Sequence, residues 1–336
     1  MEHLLIGLTK LAAGLGNVAL AERPERALAP GEVRILVHAA GICGTDLHIE
    51  AGEYQARPPV TMGHELSGVV EEIGAGVAGH WLGEWVVSET YFSTCGRCRW
   101  CREGRTNLCP ERRSLGSFVD GAFAPSVIVP ERNLHRAPTA LTDAAAALTE
   151  PLACVCQSLE DPTIVTSGDR VLVIGPGGIG LIAAQVARAD GATVEIRGTA
   201  RDEVRLELAA KLGFAVSDTA PTEEDYDVVI ECSGSGPGIT TALTSARRGG
   251  RVVQIGLRGV PVEVPFDEIC FRELTVTSGN ASTPRSWESA LALLEQGSVE
   301  LAPLVTEVVP LREWERAFAA SRAASGVKFV LDPREA

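Results

Sequence analysis

A chain of 336 residues, 45% of them hydrophobic and 22% charged, carries apolar material for about two domain-sized cores. It has no apolar run long enough to span a bilayer. The formal net charge of -14 repels phosphate backbones and anionic lipid, which excludes general nucleic-acid binding and membrane-surface docking.

The opening MEHLLIGLTKLAAGLGNVAL begins with Glu2, carries Lys10 midway and is broken by Gly7, Gly14 and Gly16. A secretory signal needs a basic start and an uninterrupted apolar stretch, so a cytoplasmic location is expected. The apolar runs that follow (LLIGL, NVAL, VRILVHAAG) are short and separated by turn formers such as Ala29-Pro30-Gly31-Glu32, the pattern of a β-meander or barrel. Two short motifs stand in this region: Gly41-Ile42-Cys43-Gly44-Thr45-Asp46-Leu47-His48, and Met62-Gly63-His64-Glu65. With Glu150, in Glu150-Pro151-Leu152, they offer one thiolate, one imidazole and one or two carboxylates. Such a set holds zinc while leaving a position open for water or substrate. Taken singly each is weak, since a lone His more often makes a structural hydrogen bond and a lone Cys more often packs as a small hydrophobe; their joint occurrence carries the argument.

Nine cysteines cannot all be paired, and four of them crowd into one loop near residues 93–110: Cys95, Cys98, Cys101 and Cys109. In a reducing compartment such clustering points to metal rather than disulfides. Four thiolates complete a tetrahedral zinc shell, so this site is expected to be structural rather than catalytic. The neighbouring Arg97, Arg99, Arg102 and Arg105 raise the alternative of a zinc-ribbon nucleic-acid module; a single loop inside a long acidic chain argues against it.

From Asp169 the pattern changes to alternating strands and helices: RVLVIG, IGLIAAQVARADG, TVEIRG, EVRLELAAKLG, YDVVIECSG, GRVVQIGL, LTVTSG. Repeated strand–helix–strand units predict a parallel, doubly wound sheet. The strand VLVI runs into Gly175-Pro176-Gly177-Gly178-Ile179-Gly180, which meets the G-x-G-x-x-G spacing at Gly175, Gly177 and Gly180. The first glycine makes the tight turn, the second admits a pyrophosphate, and the third lets helix and strand close up. Gly178 completes the loop at the helix N-terminus, where free N–H groups favour an anion. An acid about 20 residues further on usually takes the adenosine ribose hydroxyls. Here that place holds Gly198, followed by Thr199, Ala200, Arg201 and Asp202. The expectation is room for a 2′-phosphate, with Thr199 donating to it and Arg201 pairing with it, hence NADP(H) ahead of NAD(H). Asp202 is the competing candidate, because a carboxylate reaching the ribose favours NAD. Beyond Pro284 lie two amphipathic stretches, SWESALALLEQG and EWERAFAASRA, and a closing strand KFVLD.

These motifs, in this order, resemble the zinc-containing medium-chain alcohol dehydrogenases, particularly the polyol (sorbitol), sugar and threonine dehydrogenase branch. The resemblance runs over essentially the whole chain: GICGTDLHI, GHELSGVVEEIGAGV, the four-cysteine lobe, the EPLA segment and GPGGIG. It implies an α/β protein in which residues 1–151 and 284–336 form a GroES-like β-barrel catalytic domain and 152–283 an inserted Rossmann domain. Cys43, His64 and Glu150 are then the catalytic zinc ligands, with Glu65 a ligand in some states and behind the ligands in others. Thr45 and His48 form the proton relay from the substrate hydroxyl. The implied activity is hydride transfer between a secondary alcohol in a polyol, sugar or cyclitol and NAD(P). An L-threonine-type 3-dehydrogenase is the alternative; a non-catalytic NADPH-binding relative would need a lost ligand, and none is lost. A homodimer or homotetramer is implied. The EPLA segment departs from the family pattern in having Gln157 where a His often stands, and Cys154 and Cys156 read as packing residues.

Overall fold

The computed structural model describes residues 4–219 and 225–335. The chain divides into two compact units, one made of Met1–Glu150 with Val305–Ala336 and the other of Pro151–Leu304.

The first unit is built around a seven-stranded sheet. Its path runs Leu134–Arg136, Trp85–Ser88, Glu65–Ile73, Glu32–Gly41, Lys328–Asp332, Val305–Pro310, with Ser126–Pro130 also paired to Glu32–Gly41. The Glu32–Gly41 strand thus touches three others and is buried almost without interruption. Its near-continuous apolar sequence, rather than an alternating one, suits a strand covered on both faces. Leu8, Ile35, Val37, Met62, Leu66, Phe123, Phe318 and Leu331 fill the core beneath it. The last strand, Lys328–Asp332, lies antiparallel to Glu32–Gly41, with Val330 opposite Gly41. The C-terminal segment therefore enters the middle of this sheet.

The second unit is a six-stranded sheet in the order Ala215–Ser217, Thr193–Arg197, Arg170–Ile174, Tyr226–Glu231, Ala246–Gln254, Thr275–Ser278, every pair parallel. The order steps outward from Arg170–Ile174 and then reverses, placing a topological switch point beside the glycine loop that follows that strand. This is the expected doubly wound α/β arrangement. Helix Gly178–Ala189 is buried without a break from Gly180 to Ala187, because its residues are small or apolar on nearly every side.

One boundary differs from expectation. The second unit continues past Pro284 to Leu304. Pro284 opens helix Pro284–Glu295 at a position where the missing N–H costs nothing, and Thr283 caps it through its Oγ1. That helix is tied to the dinucleotide-fold unit: Trp287 is fully buried, and Thr283 Oγ1 donates to Gln157 Oε1 at 2.6 Å. A little further on, Glu300 N donates to Gln185 Oε1 at 2.7 Å. Gln157 also donates to Asp161 Oδ2 at 3.2 Å, so the residue that departs from the family pattern has a packing role inside this unit. Cys156 is fully buried, which pushes its thiol well up, as befits a packing residue.

Candidate metal centres and dinucleotide loop

The four-cysteine lobe sits between the short strands Tyr91–Ser93 and Arg113–Ser114. All four sulfurs lie within 4.8 Å of one another, and none is in a disulfide. The Cys95 and Cys101 sulfurs are 3.9 Å apart. That is the edge of a tetrahedron with metal–sulfur bonds of about 2.3 Å, and nearly twice the length of a disulfide, about 2.05 Å. The C-x-x-C steps aim backbone N–H groups at sulfur: Cys98 N to Cys95 Sγ at 3.3 Å, Cys101 N to Cys98 Sγ at 3.5 Å, and Cys95 N to Cys109 Sγ at 3.4 Å. The N–H groups of Arg97 and Cys98 hold the Cys95 thiol down at about 6, whereas burial pushes Cys101 up to about 11. Four sulfurs gathered at tetrahedral spacing are a donor set that fits zinc.

The second cluster gathers residues far apart in sequence. Cys43 precedes helix Gly44–Ala51, and His64 precedes strand Glu65–Ile73. Gly63 makes the turn that presents His64, with φ +90, and a Cβ there would lie 2.5 Å from the Phe123 ring. Donor atoms of Cys43, His64 and Glu65 fall within 4.8 Å of one another. Asp46, fully buried, supports two of them: its Oδ2 accepts from Cys43 N at 2.9 Å, and its Oδ1 lies 3.8 Å from His64 Nδ1. A carboxylate behind a metal-binding imidazole is the usual means of fixing its ring and tautomer. Burial works to lower the proton affinity of His64, yet Asp46, Cys43 and Glu150 outweigh it and raise it well above its ordinary value. A buried pocket of anions that draws in positive charge suits a divalent cation.

Glu65 is held differently from Cys43 and His64. It is fully buried, and Lys328 Nζ donates to Oε1 at 2.5 Å, to Oε2 at 2.6 Å and to the Ile42 carbonyl at 3.0 Å. Glu150 stands outside the tight triplet; its charge acts on both His64 and Lys328, and its Oε1 accepts from Thr90 Oγ1 at 2.9 Å. Thr45 and His48 lie three residues apart on helix Gly44–Ala51 and so share a face. His48 Nδ1 meets Glu53 Oε2 at 2.7 Å at the surface.

In the other unit the glycine loop has the geometry its spacing predicts. Gly175 adopts φ +96, and a Cβ on it would lie 2.8 Å from Ser233 N; a Cβ on Gly180 would lie 1.9 Å from the Gly175 carbonyl. Gly177 caps helix Gly178–Ala189, and among the described residues beyond its chain neighbours the nearest atom to its missing Cβ is Arg205 Nη1 at 3.9 Å. The loop is thus bare enough for a pyrophosphate to approach.

The region after strand Thr193–Arg197 departs from expectation in detail. Gly198 does not open onto space: its Cβ would lie 3.0 Å from both Asp202 Cβ and Pro176 Cγ, and 3.2 Å from Leu206. A side chain here would press on these neighbours, so close packing favours glycine. The Asp202 carboxylate is engaged locally, since its Oδ2 accepts from Thr199 N at 2.9 Å and Thr199 Oγ1 at 2.8 Å. Thr199 therefore donates to Asp202. Arg201 is exposed, while Arg205, 17% exposed, faces Asp202 Oδ1 at 3.8 Å beside the glycine loop.

Sequence reasoning passed over four residues of these sites. Asp46 lies inside the CGTDLH motif, and Arg205 lies in the first turn of helix Glu203–Lys211, after the second strand; both were findable. Glu53 needed the helix end to be known. Lys328 carried no local signal, being 263 residues from Glu65.

Comparison with known proteins identifies the family. Residues 29–139 match the family model for an alcohol dehydrogenase GroES-like domain, and 178–296 that for a zinc-binding dehydrogenase. The chain is 39% identical to a sorbitol dehydrogenase of Halalkalibacterium halodurans, over 97% of this chain and 98% of that one. It is 33% identical to a D-arabitol-phosphate dehydrogenase of Enterococcus avium (99% and 98%), and 34% to an L-threonine 3-dehydrogenase of Pyrococcus horikoshii (98% and 99%). Among solved structures, a zinc-binding dehydrogenase of Sinorhizobium meliloti bound to NADP superposes with a TM-score of 0.89 at 31% identity, over 99% of this chain and 100% of that one.

Proposed function

The chain belongs to the zinc-dependent medium-chain alcohol dehydrogenases, and from that premise we propose that it oxidises a secondary hydroxyl of a polyol, sugar or cyclitol with NADP⁺ as acceptor. The observation that carries the reading is the cluster of half-buried Cys43 with buried His64 and Glu65, backed by Asp46 and within reach of the charge of Glu150. Cys43, His64 and Glu150 would hold a catalytic zinc, with Glu65 in reserve, and the four cysteines a structural one. Zinc at the first site supplies Lewis-acid polarisation of the substrate oxygen, and the nicotinamide supplies the hydride acceptor. The chain's own part is positional and protic. Asp46 fixes the Cys43 backbone and faces the His64 ring, Thr45 accepts the hydroxyl proton, and His48 passes it to Glu53 and solvent. The glycine loop seats the pyrophosphate at a helix N-terminus.

NADP(H) preference is supported by the capture of Asp202 in the Thr199 cap, which removes the carboxylate that would favour NAD, and by two arginines nearby, Arg201 and Arg205. Initial rates with sorbitol and other polyols, free sugars and L-threonine, each with NAD⁺ and NADP⁺, test the reading. A polyol turned over fastest with NADP⁺ supports it, and L-threonine as the single good substrate replaces it with the threonine-type alternative. That alternative draws on the 34% identity to an L-threonine 3-dehydrogenase. No helix among the described residues is long and apolar enough to cross a membrane, and we place the enzyme in the cytoplasm. A homodimer or homotetramer is proposed through the outermost strand, Thr275–Ser278, whose surroundings expose Leu257, Phe266, Phe271 and Val276.

A further inference from the structure

Glu231 ends strand Tyr226–Glu231 in the dinucleotide-fold unit, and it is fully buried. Both carboxylate oxygens are taken. Oε1 accepts from Ser233 N at 2.9 Å and from Ser233 Oγ; Oε2 accepts from Gly234 N at 3.0 Å and from Gln254 Nε2 at 2.6 Å. These four donors are uncharged, and a buried carboxylate is tolerated where it is bonded this fully. Two glycines make room for it: a Cβ on Gly238 would lie 2.7 Å from Oε1, and one on Gly256 2.8 Å from Oε2. Glu231 thereby joins the carboxyl ends of three neighbouring strands. Its oxygens hold the turn at Ser233 and Gly234, which abuts the glycine loop: Cys232 N donates to the Ile174 carbonyl at 2.8 Å, and the missing Cβ of Gly175 faces Ser233 N. Gln254 ends strand Ala246–Gln254, and just beyond it Ile255 N and Gly256 N donate to the Glu231 carbonyl at 2.8 and 2.9 Å. The switch point of the sheet falls between Arg170–Ile174 and Tyr226–Glu231.

We infer that Glu231 is a positioning residue for the nicotinamide half of the bound dinucleotide, acting through the main chain of residues 232–236 and 254–257. A dinucleotide crossing the switch point has its adenosine toward Thr193–Arg197 and the Thr199 cap, so its other half lies toward the loops that Glu231 joins. This rests on the reading of Gly175–Gly180 as a pyrophosphate seat. Glutamine has the shape of glutamate and cannot replace it here. One end of the amide becomes a donor, and it then faces Ser233 N on one side or Gly234 N and Gln254 Nε2 on the other. The two loops shift, while the adenosine side keeps its own bonds between Thr199 and Asp202.

The test titrates the intact zinc enzyme with NADPH and NADH, and with 2′-phospho-ADP-ribose and ADP-ribose, which carry the adenosine and pyrophosphate without the nicotinamide. Glu231→Gln is expected to weaken both dinucleotides about ten- to a hundredfold, as loss of a preorganised surface does, and to leave both fragments within about twofold of the parent. The fluorescence of bound NADPH, which reports the surroundings of the nicotinamide ring, is expected to move toward that of free NADPH. Gln254→Ala keeps the carboxylate and cuts its bond to the next strand. It is expected to show the same selective loss at about three- to tenfold, and it decides the matter if Glu231→Gln does not fold. Equal weakening of dinucleotides and fragments, the mark of a merely structural residue, overturns the proposal, and so does parental binding of all four ligands. A parent enzyme that binds neither dinucleotides nor fragments overturns the dinucleotide reading itself, and the proposal with it.

Discussion

Cys43 and His64 are each positioned by a neighbour that spends its own bonding capacity on them. Asp46 accepts from Cys43 N and faces His64, so one buried carboxylate supports the backbone of one ligand and the ring of the other. Cys43→Ala and His64→Ala are expected to lose one zinc and all measurable turnover while still binding dinucleotide, whose loop lies in the other unit; elemental analysis and a fluorescence titration with reduced cofactor check this. His48→Ala is expected to be milder, slowing turnover about ten- to a thousandfold, since water can replace one member of a proton relay. Arg201 and Arg205 make separable contributions to the cofactor site. Arg201 is exposed past the second strand, where a 2′-phosphate would sit; Arg205 lies over Gly177. Arg201→Ala should lower kcat/KM for NADP⁺ about ten- to a hundredfold and leave NAD⁺ unchanged, the size of one charge-assisted bond. Arg205→Ala should weaken both cofactors. A parent enzyme that clearly favours NAD⁺ would refute the preference, and with it the assignment of Arg201.

Elements depend on these local bonds in different ways. The four-cysteine lobe has two short strands, a one-turn helix and a 3-10 turn at Thr106–Leu108, so a metal would supply much of its folding free energy. Cys98→Ser is expected to remove one zinc and lower Tm while the remaining zinc and dinucleotide binding persist, as calorimetry with metal analysis will read. The parallel sheet, by contrast, is held by packing and by polar clamps at strand starts. Asp227 accepts from Arg170 N at 2.9 Å and from Arg247 Nε at 2.7 Å, tying two strand ends, and these donors hold its carboxyl below the usual range. A group with a depressed folded-state pKa stabilises above its unfolded value, about 3.9, and that contribution disappears as pH falls through the folded value. Thermal melts between about pH 5 and 3 should therefore fall more steeply for the parent than for Asp227→Asn. Identical acid limbs would show that the clamp contributes nothing.

At one end of the parallel sheet the fold leaves a strand edge with exposed apolar residues beside it. Thr275–Ser278 has a partner strand on one side only, and Phe266 and Phe271 near it are 67% and 69% exposed. An unblocked edge with apolar residues beside it invites pairing with a second copy. Light scattering is expected to report a dimer or tetramer for the parent and a smaller species for Phe271→Asp/Val276→Lys. A monomeric parent would remove this assembly.

Wherever chemistry is written in adjacent residues, the sequence by itself determined this protein. The C-x-x-C steps, the G-x-G-x-x-G loop between strand and helix, the CGTDLH and GHE motifs and the alternation of apolar periods all encode local geometry, and local geometry is what short spacings constrain. Tertiary structure decided what depends on which distant atoms meet. Only the threading of Lys328–Asp332 beside Glu32–Gly41 puts a lysine on Glu65. The burial of Trp287 and the bonds Thr283–Gln157 and Ser289–Glu160 keep helix Pro284–Glu295 in the dinucleotide-fold unit, so that the chain returns to the first unit at Val305 and not at Pro284. Gly198 follows the same logic: what reads in sequence as a missing carboxylate is in three dimensions a contact with Pro176 and Asp202. Packing at van der Waals distance leaves no trace in residue spacing, because the partners are set by the path of the whole chain.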